Sequence, residues 1–419
     1  MNSIYSARPG TAKAGRRLAP LLAVLAFGSP AHALTINPTF DSSITSDPQA
    51  ATIEATINSA IAVYEATFSD AVTVNITFKE QSTGLGNSNT RVGTVAYSVY
   101  RAALLSHVTS VDDATAWINL PNTVNNPVNN DPNVYLSLPL GRALGLTSTV
   151  GSPDGTIFLN TSICNLSASQ TVATNYSLFA VASHEIDEVL GSASALTGLT
   201  NGAATLPGPI YVQDLFRYDQ NGARSYTTAV NAIAYFSLDG STAIARYNQT
   251  QGGDYSDWYS CPCSPCNCLS PLPSAPQVQD AWSVPGSTPV LGTELRVLDV
   301  LGYTRPPSPE WVDFSFAGTP AGTFAAPDKT LAAGVTRVNT GGTIEIKAGN
   351  SGEALTITKQ MLLTSFGGTA NIGLAHPAAA PALSVVAKDP PPPELNPSGT
   401  AFGEIRTVTG VMNAALPGN

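Results

Sequence analysis

VASHEIDEVLG, residues 181–191, is the stretch on which the reading of this chain turns. Apolar residues at Phe179, Ala180, Ala182, Ile186, Val189 and Leu190 recur at roughly helical spacing, so residues 177–190 are expected to form a mostly buried helix. Gly191 stops it, because glycine takes the left-handed cap conformation without a Cβ clash. His184 and Glu188 stand four apart and leave one face of that helix, with Cβ atoms ~6 Å apart. A pair so placed can grip one divalent ion. Glu185 projects to the side, within reach of a water on that ion; the bland alternative for it is a solvated carboxylate. Asp187 is read as facing solvent and is given no role.

The stretch keeps the frame of the helical motif H-E-x-x-H, with Glu188 where the second histidine would stand. Gly191 falls seven after His184, as in the longer pattern H-E-x-x-H-x-x-G-x-x-H, whose last position is Ser194 here, a poor zinc ligand. A carboxylate binds zinc well but neutralises more of its charge than imidazole does, so bound water is less acidified. Arg217 is the candidate compensating positive group.

Further segments follow in order: QDLFRYDQNGARSY, AYFSLDG, GGDYSDW and LRVLDVLGY. With SHEIDEVLG they resemble a group of secreted bacterial metzincin-like metalloproteases carrying an H-E-I-x-E-[VM]-[LM]-G helix, over about residues 34–303. The resemblance implies an α+β zinc-peptidase domain, a mixed sheet plus an active-site helix, with Zn2+ as cofactor and a protein or peptide as substrate. Glu185 would be the general base. Asp214, the D of DLFRY, is the candidate third ligand beside His184 and Glu188; otherwise it caps a turn or pairs with Arg217. Tyr218 is either a hydroxyl near the metal, as some metzincins carry, or a core aromatic. In such proteins a strand before the helix forms the upper edge of the cleft, where a peptide adds as a further strand. Residues 156–160, with Thr156, Ile157 and Phe158, are the candidate by position; an ordinary edge or central strand is the alternative. A late helix over residues 292–302 would close the domain beneath the site.

Composition bounds the class. The 419 residues are 43% hydrophobic and only 11% charged, enough to bury a sizeable core. Net charge is −10, with no basic cluster beyond the N-terminus, so nucleic acid is an unsuited partner. Arg8, Lys13, Arg16 and Arg17 precede an apolar run over residues 18–27, and Ala31 and Ala33 flank His32, so residues 1–33 read as a signal peptide cleaved after Ala33. The mature protein is then expected to be exported, soluble and free of the membrane. Cleavage removes His32 and leaves His107, His184 and His376, so a three-histidine site would need them all. His107 reads as a helix-end residue. Five cysteines are present: Cys164 alone, and four in CPCSPCNC. The cluster reads as disulfide chemistry in a surface insertion, with a second metal site as the alternative.

Along the chain, residues 49–68 read as an amphipathic helix, 72–78 as a strand, 84–89 as a turn and 98–105 as a helix. Residues 234–238 and 241–247 form a hairpin signal around Asp239-Gly240. Residues 252–258 are a polar loop ending in Asp257 and Trp258, a candidate for structural Ca2+. Residues 305–310 read as a Pro-rich linker and 311–387 as a small β module. That module resembles the first coil of a parallel β-helix, with strands at 343–347, 355–357 and 361–365. Residues 388–419 read as a disordered tail. The competing function is a non-catalytic extracellular binding protein on the same scaffold, contacting glycan or the cell surface through the β module.

Overall fold

The computed structural model describes residues 34–198, 208–230, 232–260, 275–306, 308–339, 342–359, 361–373, 402–403 and 405–414. The expected signal peptide, the CPCSPCNC cluster and His376 lie outside the described residues. Those described are α+β, built on one mixed sheet of eight strands. We label its strands β1 (Thr35–Phe40), β2 (Thr73–Glu80), β3 (Gly86–Ala96), β4 (Asn133–Ser137), β5 (Gly155–Leu159), β6 (Ile210–Tyr211), β7 (Trp282–Ser283) and β8 (Arg406–Ala414). Their order is β1-β2-β5-β3-β8-β7, with β4 joined to β3 and β6 to β4. The first three run parallel; β3 is antiparallel to β5 and to β8.

Local sequence explains most of this. In β2 the alternating Val74, Ile76 and Phe78 are buried and their neighbours are not, which is the period of a half-buried strand. The helix Ala50–Thr67 buries Ile53, Ile57, Ala60, Ile61 and Tyr64, one stripe at helical spacing. That stripe packs on the helix Leu178–Leu190, and the Tyr64 hydroxyl donates to the Ser183 carbonyl at 2.8 Å. The Ser177 hydroxyl caps the helix start by accepting from Ala180 N–H, and Gly191, at φ 141°, ends it. Two hydroxyls, Ser137 at 2.7 Å and Tyr303 at 3.0 Å, donate to the Leu190 carbonyl, which the helix itself leaves unpaired. The late helix forms over Thr293–Leu301.

Three expectations are corrected. Residues 84–89 are not simply a turn: β3 begins at Gly86, and its Gly/Asn/Ser-rich first half becomes strand because β5 and β8 supply hydrogen bonds on both of its edges. Residues 406–414, expected as disordered tail, form β8. No strand forms over 355–357; the flanking strands Thr343–Ser351 and Leu362–Ile372 are longer instead and pair directly. Those two and Glu310–Val312 make a separate three-stranded parallel sheet. It has its own small core of Val312, Leu331, Val338, Ile344 and Ile346. Trp311 joins it to the main body, packing edge-on to Phe324 and Phe366 in a cluster shared with Val108 and Ala114. Among the described residues no helix is long and apolar enough to cross a membrane.

Candidate metal centre

The helix Leu178–Leu190 lies across the sheet so that His184, Glu185 and Glu188 are all buried; Asp187, expected to face solvent, is buried too, because both faces of this helix are covered. Gly86 on β3 makes this approach possible, since a Cβ there would press on the Glu185 carboxylate and on Val181. His184 Nε2 lies 3.8 Å from Glu188 Oε1 and 3.7 Å from Asp257 Oδ2. Donor atoms of the three side chains all fall within 4.8 Å of one another. Asp257 arrives on the loop after the short strand Ala245–Arg246. Neighbouring Trp258, buried against Phe236 and Tyr247, fixes that loop. Its N–H donates to the Gln279 carbonyl at 2.8 Å and its indole N–H to Glu294 at 3.1 Å.

Several features fit this set to a divalent cation. The His184 Nδ1 faces the Val278 carbonyl at 2.9 Å; with the proton there, Nε2 is the acceptor nitrogen, taking a hydrogen bond from the Gln279 amide at 3.2 Å with the two carboxylates beside it, so a cation would have to displace that amide. Burial holds the imidazole down to about 4, so it is neutral at physiological pH, the form that binds metal. Glu188 Oε1 and Asp257 Oδ2, the oxygens nearest Nε2, are buried and have no hydrogen-bond partner among the described residues. Tetrahedral bonds of ~2.0–2.2 Å put neighbouring donors roughly 3.3–3.6 Å apart, slightly closer than the 3.8 and 3.7 Å that separate His184 Nε2 from the two carboxylates. Burial pushes Glu185, Glu188 and Asp257 well above the usual carboxylate range, and the like charges of these acids and Asp254 push them further. A cation at their centre would relieve that repulsion. One imidazole with two carboxylates suits zinc and other first-row divalent ions.

Around this set, Ser88 on β3 donates to Glu188 Oε2 at 2.7 Å and so orients it. The Gln279 amide nitrogen lies 3.0 Å from Asp257 Oδ1 and 3.2 Å from His184 Nε2. The Glu185 carboxyl sits beside that of Glu188 and the Met412 backbone N–H, and neither of its oxygens makes a full hydrogen bond. Glu188 lines a cavity of about 40 Å3 together with Val408, Thr409, Gly410, Ser192 and Ser194.

The structure thus brings His184, Glu185 and Glu188 together as expected, but not the other candidates. Asp214 is committed elsewhere: Oδ1 accepts from the Ser194 hydroxyl at 2.5 Å, and Oδ2 from the N–H groups of Ala195 and Tyr211 at 3.0 and 3.1 Å. It pins the chain after the helix, the turn-capping alternative. Arg217 is buried and donates to the carbonyls of Tyr255 and Asn248 and to the Gln249 side chain. It therefore braces the loop that delivers Asp257 and is not aimed at the metal set. The Tyr218 ring lies under the Arg224 guanidinium at 4.8 Å, as a packing aromatic. Thr156, Ile157 and Phe158 belong to β5, which is paired on both sides, by β2 and β3, so it offers no edge to a peptide. Strand β3 is likewise paired on both sides, by β5 and by β8. Asp257 lies in the segment that reads from sequence as a candidate calcium loop, and no sequence pattern singles out Gln279 or Ser88. The one sequence signal for Asp257 was its placement beside a tryptophan in GGDYSDW. Compared with known proteins, the chain matches no family model, no curated protein and no solved structure.

Proposed function

We propose that the chain is an exported, zinc-dependent endopeptidase of metzincin-like type. His184, Glu188 and Asp257 would hold the ion and Glu185 would act as general base. One observation carries this reading: three metal-type donors come within 4.8 Å of one another in a buried place, and the two oxygens nearest the imidazole nitrogen have no hydrogen-bond partner among the described residues. A bound divalent ion polarises a carbonyl and acidifies water. The remaining work falls to the protein. Glu185 would accept a proton at a carboxylate oxygen and return it to the leaving amine nitrogen. Burial alone would keep this carboxyl protonated; a cation held by Glu188 and Asp257 beside it would favour the ionised form, the one that can accept a proton. Ser88 and Gln279 would fix the orientations of Glu188 and Asp257. The leader-like first 33 residues support export.

The test combines metal content with peptide hydrolysis. The purified chain is expected to hold one ion, to lose it in His184→Ala, and to cleave an unstructured protein such as casein. Glu185→Gln should keep the ion and lose at least ~100-fold in rate, the scale of a general base. A metal-free chain that is inert towards peptides would overturn the reading.

A further inference from the structure

Strand β8 is an unusual neighbour for the metal centre. Over residues 86–92 it fills the edge of β3 opposite β5, in antiparallel register from Arg406 opposite Val92 to Met412 opposite Gly86. Its far end pairs with β7, so it spans the gap between the sheet edge and the segment that follows Gln279. It comes from more than 300 residues beyond β3, not from an adjoining hairpin: Thr409 meets Asn89 across a separation of 320.

The fit is specific along its length. Val408 and Met412 face inward, Met412 fully buried, while Thr407 and Thr409 are exposed. Gly410 falls between them, and a Cβ at that position would land on the Glu188 carboxylate. Its main chain therefore crosses directly over a residue of the metal set. Upstream, the Phe402 ring fills a slot at Gly93 and Gly141, where any side chain would collide with it. The Gly403 N–H donates to the Thr94 carbonyl at 2.6 Å, and the Arg406 guanidinium lies 3.9 Å over the Tyr135 ring. Strand pairing supplies sequence-independent affinity, and alternate side chains in fixed seats supply selectivity.

We propose that β8 is a tethered occupant of a peptide groove. In this reading the protein takes extended peptides on the β3 edge, seating an aromatic residue, an arginine four residues on, and a glycine four further opposite Glu188; its own C-terminal strand fills the groove and holds the site closed. What the groove delivers to the metal set rests on the peptidase reading; the groove itself does not.

The full-length chain tests this with a fluorescent peptide of residues 402–414 and with Gly410→Leu, whose side chain cannot pass Glu188. The variant is expected to bind the peptide at least tenfold more tightly than the unaltered chain does, and to lose that gain when the peptide's phenylalanine is replaced by alanine. Its peptide hydrolysis is expected to rise at least tenfold. Phe402→Ala combined with Arg406→Ala should act in the same direction without altering any residue at the metal set. Folded variants that bind the labelled peptide no better than the unaltered chain, or variants of both kinds that fail to fold, would make β8 a permanent strand and overturn the proposal. Tighter peptide binding with no hydrolysis by any form would leave the groove standing and sink the peptidase. Measurable hydrolysis that is equal in the unaltered chain and in folded variants, with no gain in peptide binding, would do the reverse.

Discussion

Two aspartates show what separates the proposed metal ligand from a structural carboxylate. Asp214 uses both oxygens on three donors, two of them main-chain N–H groups. Asp257 uses one oxygen on Gln279 and leaves the other beside His184 Nε2. Removing them should therefore fail differently. Asp214→Ala leaves buried donors unpaired, at about 1–3 kcal/mol for each, so the denaturant midpoint should fall while metal stoichiometry is kept. Asp257→Ala should lose the ion, and the metal-stripped variant should be no less stable than the metal-stripped parent, because a buried acid repelled by Glu188 and Asp254 has gone. Elemental analysis beside urea titration checks both; metal loss in the Asp214 variant alone would reverse the assignment.

The elements were legible to the extent that their own side chains decide them. The helix Leu178–Leu190 and β2 carry their burial patterns in their own sequence, and residues four apart on that helix had to share a face. Strand β3 was hidden because GNSNTRVGTVA opens on residues that suit turns, and what makes it a strand lies in distant segments, β5 and β8. Asp257 and His184 lie 73 positions apart, and what brings them together is the packing of Trp258 on Phe236 and Tyr247, which no local pattern encodes. Gly86 shows how closely strand and helix are fitted. Gly86→Ala would press a methyl against Glu185 and Val181, so about 1–3 kcal/mol of stability should be lost from the overpacked contact. Chemical denaturation measures this; an unchanged midpoint would mean that the helix moves aside freely.

At the scale of the whole molecule, the chain carries a net charge of −10 and places several of its acids inside, which ties its stability to pH. Away from the metal set, burial raises Asp280 to about 8 and Asp299 to about 7, and Asp113 and Asp187 also lie well above the usual range because they are buried. Unfolded aspartates titrate near ~3.9. Between that value and the folded value, the folded state holds a proton that the unfolded state has released. Stability is therefore greatest at the low end and declines as pH rises, until about 7 for Asp299 and about 8 for Asp280. His184 works in the opposite direction: with a folded value of about 4 against ~6.5 unfolded, it removes stability as pH falls through that interval and contributes no slope above it. From pH 6.5 to 8 the acids act alone, so the melting temperature should drop across that range. Asp280→Asn and Asp299→Asn keep the side-chain shape without the charge, and together they should raise the melting temperature at pH 8 and flatten its decline. Scanning calorimetry at constant ionic strength on metal-stripped protein reads the slope directly, and a melting temperature that climbs from pH 6.5 to 8 in the unaltered chain would show that these acids are not held protonated by the fold.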